Sequence, residues 1–394
     1  MPAPLLSVTD ARDRLFGLAT AVEPETVPLR QATGRWAAAD VTALRTQPTD
    51  DLSAMDGYAI RYADLPGPLT VIGESAAGRR FAGTLGPNQA VRIFTGAAMP
   101  AGADCVLVQE EAARDGDALT LAGEGPAPGG NIRRKGLDFD AAETLVAAGE
   151  RLTPARIALA AIGGHGTLSV RRRIRVAIMA SGDELVAPGG AVGPDSLPES
   201  NGVMLAALLT DLPVDIIDLG ILPDRLDAIA SAFEKVHADI LVTTGGASVG
   251  DHDLIRPALQ AAGGDLDFWR IALRPGKPML AGRLRETVVL GLPGNPVSAF
   301  VTATIFLRPL IAYLSGASDP LPPTRLAILG APLRANDHRQ DYLRATTTAG
   351  RVAPADRQDS SMVRTLARAD CLIVRAPHAP AAAAGDSVEV LPLG

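Results

Sequence analysis

Residues 174–180 read Ile-Arg-Val-Ala-Ile-Met-Ala, an almost unbroken apolar run. Such a run marks a strand buried on both faces of a parallel sheet. A strand–helix rhythm follows it. Helices are expected over 200–212, 223–236, 253–264 and 297–314, and strands over 213–222, 238–246, 267–278 and 287–296. Strands alternating with helices over about 150 residues define a three-layer α/β domain, which we place at 171–318.

On the N-terminal side, SVTDARDRLF (7–16) reads as an N-capped amphipathic helix. TVPLRQATGRWAAADVTA (26–43) reads as two short strands around a turn at Thr33-Gly34. From about Thr46 to Lys135 short apolar runs alternate with Gly and Pro, the pattern of a β-rich domain with many turns. TPARIALAAIGG (153–164) is an N-capped helix that ends at glycines. Beyond the Pro-rich linker 318–324, runs at 325–333, 341–348, 371–377 and 386–393 read as the strands of a small β-barrel or β-sandwich.

Composition narrows the function. The formal net charge is −7 and aromatics are 4% of the 394 residues, which disfavours nucleic acid as a partner. Cys105 and Cys371 sit in apolar runs and read as buried structural thiols in a reducing compartment. The first residues lack a basic stretch followed by an apolar core, and no uninterrupted apolar run reaches the ~18 residues of a membrane helix. The expectation is a cytoplasmic protein without a membrane span. Only three lysines occur, Lys135, Lys235 and Lys277, against 34 arginines. A lysine that survives in such a chain carries more information than usual.

Ligands of open α/β sheets bind beyond the carboxyl ends of the strands. Those ends carry Ser181-Gly182-Asp183-Glu184, Pro223-Asp224, the stretch from Thr243 to Asp253, Arg274-Pro275-Gly276-Lys277-Pro278 and Pro293-Gly294-Asn295-Pro296. Thr244, Gly245, Gly246 and Ser248 make a loop whose backbone N–H groups can face an anion. Pro296 opens a helix whose N-terminus attracts phosphate. Glu184, Asp224 and Asp253 add carboxylates, and carboxylates beside a phosphate cradle suggest bridging Mg²⁺. Taken singly, the glycine loops are simple turns, Asp224 and Asp253 are helix caps, and His252 is a helix-start residue. Five loops converging on one edge favour a site.

A second constellation, DDLSAMDGYAIR (50–61), lies in the β-rich part. Asp50 and Asp51 read as a solvated loop, and Asp56-Gly57 as a tight turn before a strand. Thr95-Gly96 ends another strand. Arg133, Arg134 and Lys135 stand near Asp138 among glycines, as a solvated face or a phosphate grip.

The ordered set SAMDGYA, FTGAAMPAGADCVLVQE, GGNIRRKGLDF, SGDEL, ESNGVML, TTGGASVGDHD, RPGKP and LPGNPVSAF closely resembles the molybdopterin molybdenumtransferases. These are the molybdenum-inserting enzymes of molybdenum-cofactor synthesis, related to the E domain of gephyrin. The resemblance implies Mg²⁺-dependent insertion of molybdenum from molybdate into adenylylated molybdopterin, with release of AMP. It also implies four domains: an elongated, discontinuous dimerisation domain (1–45 and 139–170), an inserted β-rich domain (46–138), the α/β molybdopterin-binding domain (171–318) and a C-terminal β-barrel (319–394). The family forms a homodimer in which the α/β domain of one subunit faces the β-rich domain of the other. Molybdopterin adenylyltransferase and downstream molybdoenzymes would be its partners.

The matched family positions are Asp56, Thr95, Asp138, Glu184, Asp224, Asp253, Lys277, Pro293 and Pro296. The expected catalytic set is Asp56, Asp138, Glu184 and Asp253, and the expected metal set Glu184, Asp224 and Asp253. Thr95, Ser181, Asp224, Thr244, Gly245, Gly246, Ser248, Arg274, Lys277, Pro293, Gly294, Asn295, Pro296 and Ser360 are expected to bind substrate. Arg274 stands where the family often has lysine, and the stretch around Ser360 replaces a glycine-richer one. The alternatives are a molybdopterin adenylyltransferase and a non-catalytic, gephyrin-like scaffold.

Overall fold

The structure is a computed structural model and describes residues 5–245 and 254–393. The α/β unit is built on six strands in the order Val214–Leu222, Ile174–Ser181, Ile240–Thr244, Thr287–Leu292, Leu280–Leu284, Asp265–Trp269. The first four run parallel, with Ala177 opposite Leu241 and Leu241 opposite Val289. Alternation along Ile174–Ser181 explains its apolar run. Ile174, Val176 and Ile178 enter a core with Leu205, Leu310 and Ile311. Ala177 and Met179 enter a second core with Ile229, Phe233 and Leu259 on the other face.

The sheet is mixed rather than wholly parallel. Leu280–Leu284, a strand the sequence pattern did not reveal, runs antiparallel to both Thr287–Leu292 and Asp265–Trp269. It folds back through a turn at Arg285, whose φ is 55°. The expected 267–278 strand is also divided. Its first part stays in this sheet, while Leu273–Arg274 pairs in parallel with Gln340 and Asp341 of the C-terminal unit.

Pro296–Leu314 forms one long helix with a π-turn at Ala303–Leu307. The widened turn precedes Pro309, which has no N–H to offer the carbonyl four residues back. Arg308 interrupts its apolar run, yet by length and composition this 19-residue helix could cross a membrane, with a mean hydropathy of 1.7. It is 83% buried inside the protein, so it is a core helix.

The N-terminal helix Val8–Gly17 is capped by Ser7, whose Oγ accepts from the Asp10 N–H at 3.0 Å. It buries Val8, Ala11 and Leu15 in the α/β core and stacks Phe16 on Tyr313, ring centroids 4.6 Å apart. By packing, this helix belongs with the α/β unit. Segments on either side of the β-rich part then pair with each other: Pro24–Pro28 with Thr167–Arg171, and Val41–Thr42 with Thr144–Val146. Between the expected strands of 26–43 the chain makes a helical turn, Leu29–Ala32.

The β-rich unit is a six-stranded sheet in the order Cys105–Val108, Gly57–Ile60, Gln89–Ile93, Leu69–Ser75, Ala118–Leu121, Ala112–Asp115. The C-terminal unit is a closed five-stranded barrel. Its strands run Gln340–Thr348, Arg351–Pro354, Arg325–Leu329, Ser387–Pro392, Cys371–Arg375 and back to the first. Both cysteines are buried, and burial pushes each thiol up to about 12.

Candidate functional site

Two clusters gather the expected residues. The first lies at one end of the β-rich sheet, where three loops distant in sequence meet. Leu52–Ser53 pairs with Ile132–Arg133, and Gly96 N–H donates to the Ser53 carbonyl at 2.8 Å. Asp51 is no free loop carboxylate. It accepts from Arg134 Nη1 at 2.6 Å and from the Lys135 N–H at 2.8 Å, and those hydrogen bonds hold its carboxyl below the usual range.

Asp56 ends the turn before Gly57–Ile60. Its Oδ1 accepts from the Thr95 N–H at 2.7 Å and the Thr95 hydroxyl at 2.9 Å. These two bonds, then the nearby charge of Arg92, hold the exposed Asp56 carboxyl below its ordinary range. Gly57 is required by crowding rather than by a special dihedral, because a Cβ there would collide with the Leu107 carbonyl. Asp138 is exposed, anchored through its N–H to the Gln47 carbonyl at 3.0 Å.

The second cluster lies at the carboxyl edge of the α/β sheet. Ser181 and Thr244 end neighbouring strands and are buried. Gly245 (φ 86°) packs so tightly that a Cβ would sit 2.5 Å from the Ser181 carbonyl oxygen. Gly294 adjoins Gly245 and is held by Asn201, whose Nδ2 donates to the Gly294 carbonyl at 2.8 Å. Asn201 Oδ1 is buried with no hydrogen-bond partner among the described residues. Asn201 was quoted within a motif, yet sequence reasoning assigned it no role; a polar residue opening an otherwise apolar helix was the available signal.

Asp183, Glu184 and Asp224 share this edge. The Asp224 N–H donates to Asp183 Oδ1 at 3.0 Å; the helix that follows starts behind Arg225 with no side-chain cap, so Asp224 does not cap it. Desolvation, reinforced by the charges of Asp183 and Glu184, pushes the Asp224 carboxyl up. All three residues are exposed, so solvent screens part of that repulsion. Among the described residues no three metal-ligating side chains close on one point. Asp253, Gly246 and Ser248 lie outside the described residues, as does His252.

Pro293 leads into Gly294, and Pro296 begins the long helix behind Asn295. Asn295 reaches the barrel: its Nδ2 donates to Ser360 Oγ at 3.1 Å, and the Val297 N–H donates to the Ser360 carbonyl at 3.1 Å. Ser360 is therefore brought to this edge, and one N–H of the helix start is already engaged. Gly276 packs on Thr302 of the same helix, which brings the RPGKP loop alongside.

The two cations of that loop differ. The Arg274 guanidinium pairs with Asp337 and with Asp341, the latter at 3.1 Å, so its charge is neutralised by the barrel. Lys277 is exposed and forms no ion pair among the described residues. No hydrogen bond or ion pair among the described residues links the Asp56 cluster to the α/β edge within one chain.

Three family descriptions match consecutive stretches: "MoeA N-terminal region (domain I and II)" over residues 6–164, "Probable molybdopterin binding domain" over 177–313 and "MoeA C-terminal region (domain IV)" over 327–393. The molybdopterin molybdenumtransferase of Haemophilus influenzae is 35% identical over 98% of this chain and 98% of its own. Molybdopterin molybdenumtransferase 2 of Mycobacterium tuberculosis is 36% identical over 94% of this chain and 95% of its own. The crystal structure of the molybdopterin biosynthesis moeA protein from Pyrococcus horikoshii superposes with a TM-score of 0.84 at 26% identity, covering 99% of this chain and 100% of that one. Full-length identity of this order, with the motifs at one sheet edge and one loop cluster, places the chain: it belongs to the molybdopterin molybdenumtransferase family.

Proposed function

We propose that this protein inserts molybdenum from molybdate into adenylylated molybdopterin and releases AMP, and that it works as a homodimer. The observation that carries the proposal is the pair of separate clusters. Asp56, Thr95 and Asp138 collect on the β-rich unit, while Ser181, Glu184, Asp224, Gly245, Gly294 and Lys277 collect on the α/β unit. A second subunit would bring the two together across one cleft.

Cleaving a phosphoanhydride needs neutralised phosphate charge and an oriented water. The crowded carboxylates of Glu184 and Asp224 suit a hard divalent cation, whose charge would relieve their repulsion. Bound there, Mg²⁺ would supply charge neutralisation at the phosphates. Lys277 is an exposed cation at that edge, without an ion pair among the described residues, that an oxyanion could meet. Asp56, ionised and oriented by Thr95, would accept a hydrogen bond from the attacking water.

The test is to mix the protein with adenylylated molybdopterin, molybdate and Mg²⁺ and follow AMP. Stoichiometric, molybdate-dependent AMP release is expected. Consumption of ATP instead would identify an adenylyltransferase, and neither reaction would leave a scaffold.

A further inference from the structure

Arg92 lies on the Gln89–Ile93 strand beside the turn that carries Asp56. Its guanidinium lies over two rings, with Cζ 5.2 Å from the centroid of Tyr58 and 4.8 Å from that of Phe94. Nη1 donates to the Gly57 carbonyl at 3.0 Å, and Nη2 donates to Gln109 Oε1 at 2.7 Å. Three of these partners adjoin what holds Asp56. Gly57 follows it in the chain, and the Gln109 N–H donates to the Asp56 carbonyl at 3.1 Å. Phe94 precedes Thr95, which holds the Asp56 carboxylate. One planar side chain thus ties together the strand after Asp56, the segment before Thr95 and the turn at Gln109, using ring contacts and a two-pronged edge. A lysine has the charge but neither the plane nor the fork.

Arg92 forms no ion pair with Asp56, so its charge acts from a distance, after the two Thr95 hydrogen bonds. The other charged groups on the surrounding elements are Glu74, opposite Arg92 on the Leu69–Ser75 strand and paired with Arg79, Glu110 and Glu111 after the Cys105–Val108 strand, Asp50 (paired with Arg80) and Asp51 ahead of the Asp56 turn, and Arg133, Arg134, Lys135 and Asp138 on the neighbouring loop. Arg134 is committed to Asp51.

We propose that Arg92 is the positioning residue of the Asp56 site, fixing where that carboxylate points without itself touching substrate. The proposal rests on the reading of Asp56 as a catalytic carboxylate.

The experiment follows AMP release across pH by the full-length wild type, Arg92→Met, Arg92→Lys, Asp56→Asn and the double variant Asp56→Asn/Arg92→Met, each normalised to folded protein. Arg92→Met is expected to lower kcat about 10-fold with little change in KM, less than the ~100-fold or more for loss of the acid–base group itself, because the carboxylate is misplaced but present. The acid limb of its pH profile should move toward neutral pH, because a carboxylate that loses a nearby cation protonates more readily. Arg92→Lys should leave the limb near its wild-type place and recover only part of the rate. In the Asp56→Asn background, Arg92→Met should cost almost nothing more.

A merely structural arginine would lower the folded fraction yet leave kcat and the acid limb of the folded protein unchanged, and that result overturns the proposal. A full 10-fold loss on top of Asp56→Asn overturns it too. Should Arg92→Met fail to fold, Arg92→Lys decides, wild-type kcat being the overturning result. Near-wild-type turnover by Asp56→Asn alone would sink the Asp56 reading and the proposal with it, and is seen without any Arg92 variant.

Discussion

Thr95 holds a single oxygen of Asp56, Oδ1, with both its N–H at 2.7 Å and its hydroxyl at 2.9 Å, across 39 residues of sequence. Oδ2 forms no hydrogen bond among the described residues, and the residue is exposed. Two donors on one oxygen fix the carboxylate plane and favour its ionised form. An activating carboxylate needs both properties.

Asp56→Asn should therefore lower AMP release by at least ~100-fold, within the range of general acid–base roles, while the protein stays folded. Thr95→Val should lose less and should raise the pH at which activity falls off on the acid side. The sign follows from the direction of the shift. The Asp56 carboxyl is held low by Thr95, so removing the hydroxyl lets it protonate at higher pH. Rate–pH profiles of both variants check this, and an Asp56→Asn protein with near-normal turnover removes Asp56 from the catalytic set.

Mixed dimers test whether the cleft is shared. Asp56→Asn and Asp224→Asn chains, each inactive alone, should regain about one working site per mixed dimer if the two carboxylates of a site come from different subunits. Differently tagged chains, co-purified, would be measured for AMP release. Mixed dimers that form but stay inactive would show that each chain builds its site by itself.

Divalent cation should be felt at Asp224. Its carboxyl is pushed up by desolvation and by Asp183 and Glu184. A carboxyl raised above its unfolded value favours folding at low pH and opposes it as pH rises through the folded value, so at neutral pH this cluster opposes folding. Saturating Mg²⁺ should raise Tm, by about 2.7 kcal/mol of stability at 100 times Kd. In Asp224→Asn the metal-free Tm should be slightly higher and the response to Mg²⁺ much smaller. Thermal melts with and without Mg²⁺ decide; equal responses in both proteins would place the cation elsewhere.

Lys277 and Arg274 should separate by function. Lys277→Arg keeps the charge but replaces a compact ammonium with a broad fork, and should weaken molybdate or adenylylated-molybdopterin binding by about 1–3 kcal/mol, the range of a charged hydrogen bond. Arg274→Ala should chiefly destabilise the docking of the barrel, since it leaves Asp341 buried without its cation. Calorimetric titration of both ligands, with melting curves, tells the two apart. Unchanged affinity in Lys277→Arg makes Lys277 a bystander.

Much of the molecule was legible in local sequence. The apolar run 174–180, the caps at Ser7 and Thr153, and the strand–helix alternation all rest on periodicity and turn chemistry that act within a few residues. So does the order of the motif loops, which the family resemblance converts into a list of site residues. Other features depend on which distant segments meet, and no local pattern encodes that. The strand Leu280–Leu284 looks like a loop until it finds two antiparallel neighbours. Five short strands become a barrel rather than a sandwich only when Gln340–Thr348 pairs with Cys371–Arg375. Arg274 reads as a substrate cation until Asp337 and Asp341 neutralise it. Asp56 read as a turn residue and Thr95 as a strand-end residue, and only the packing of their loops makes them one hydrogen-bonded pair. Sequence determined the elements and the chemical types available at their ends. Tertiary structure decided which charges are free and which are paired, because a side chain's electrostatics is set by its neighbours in space.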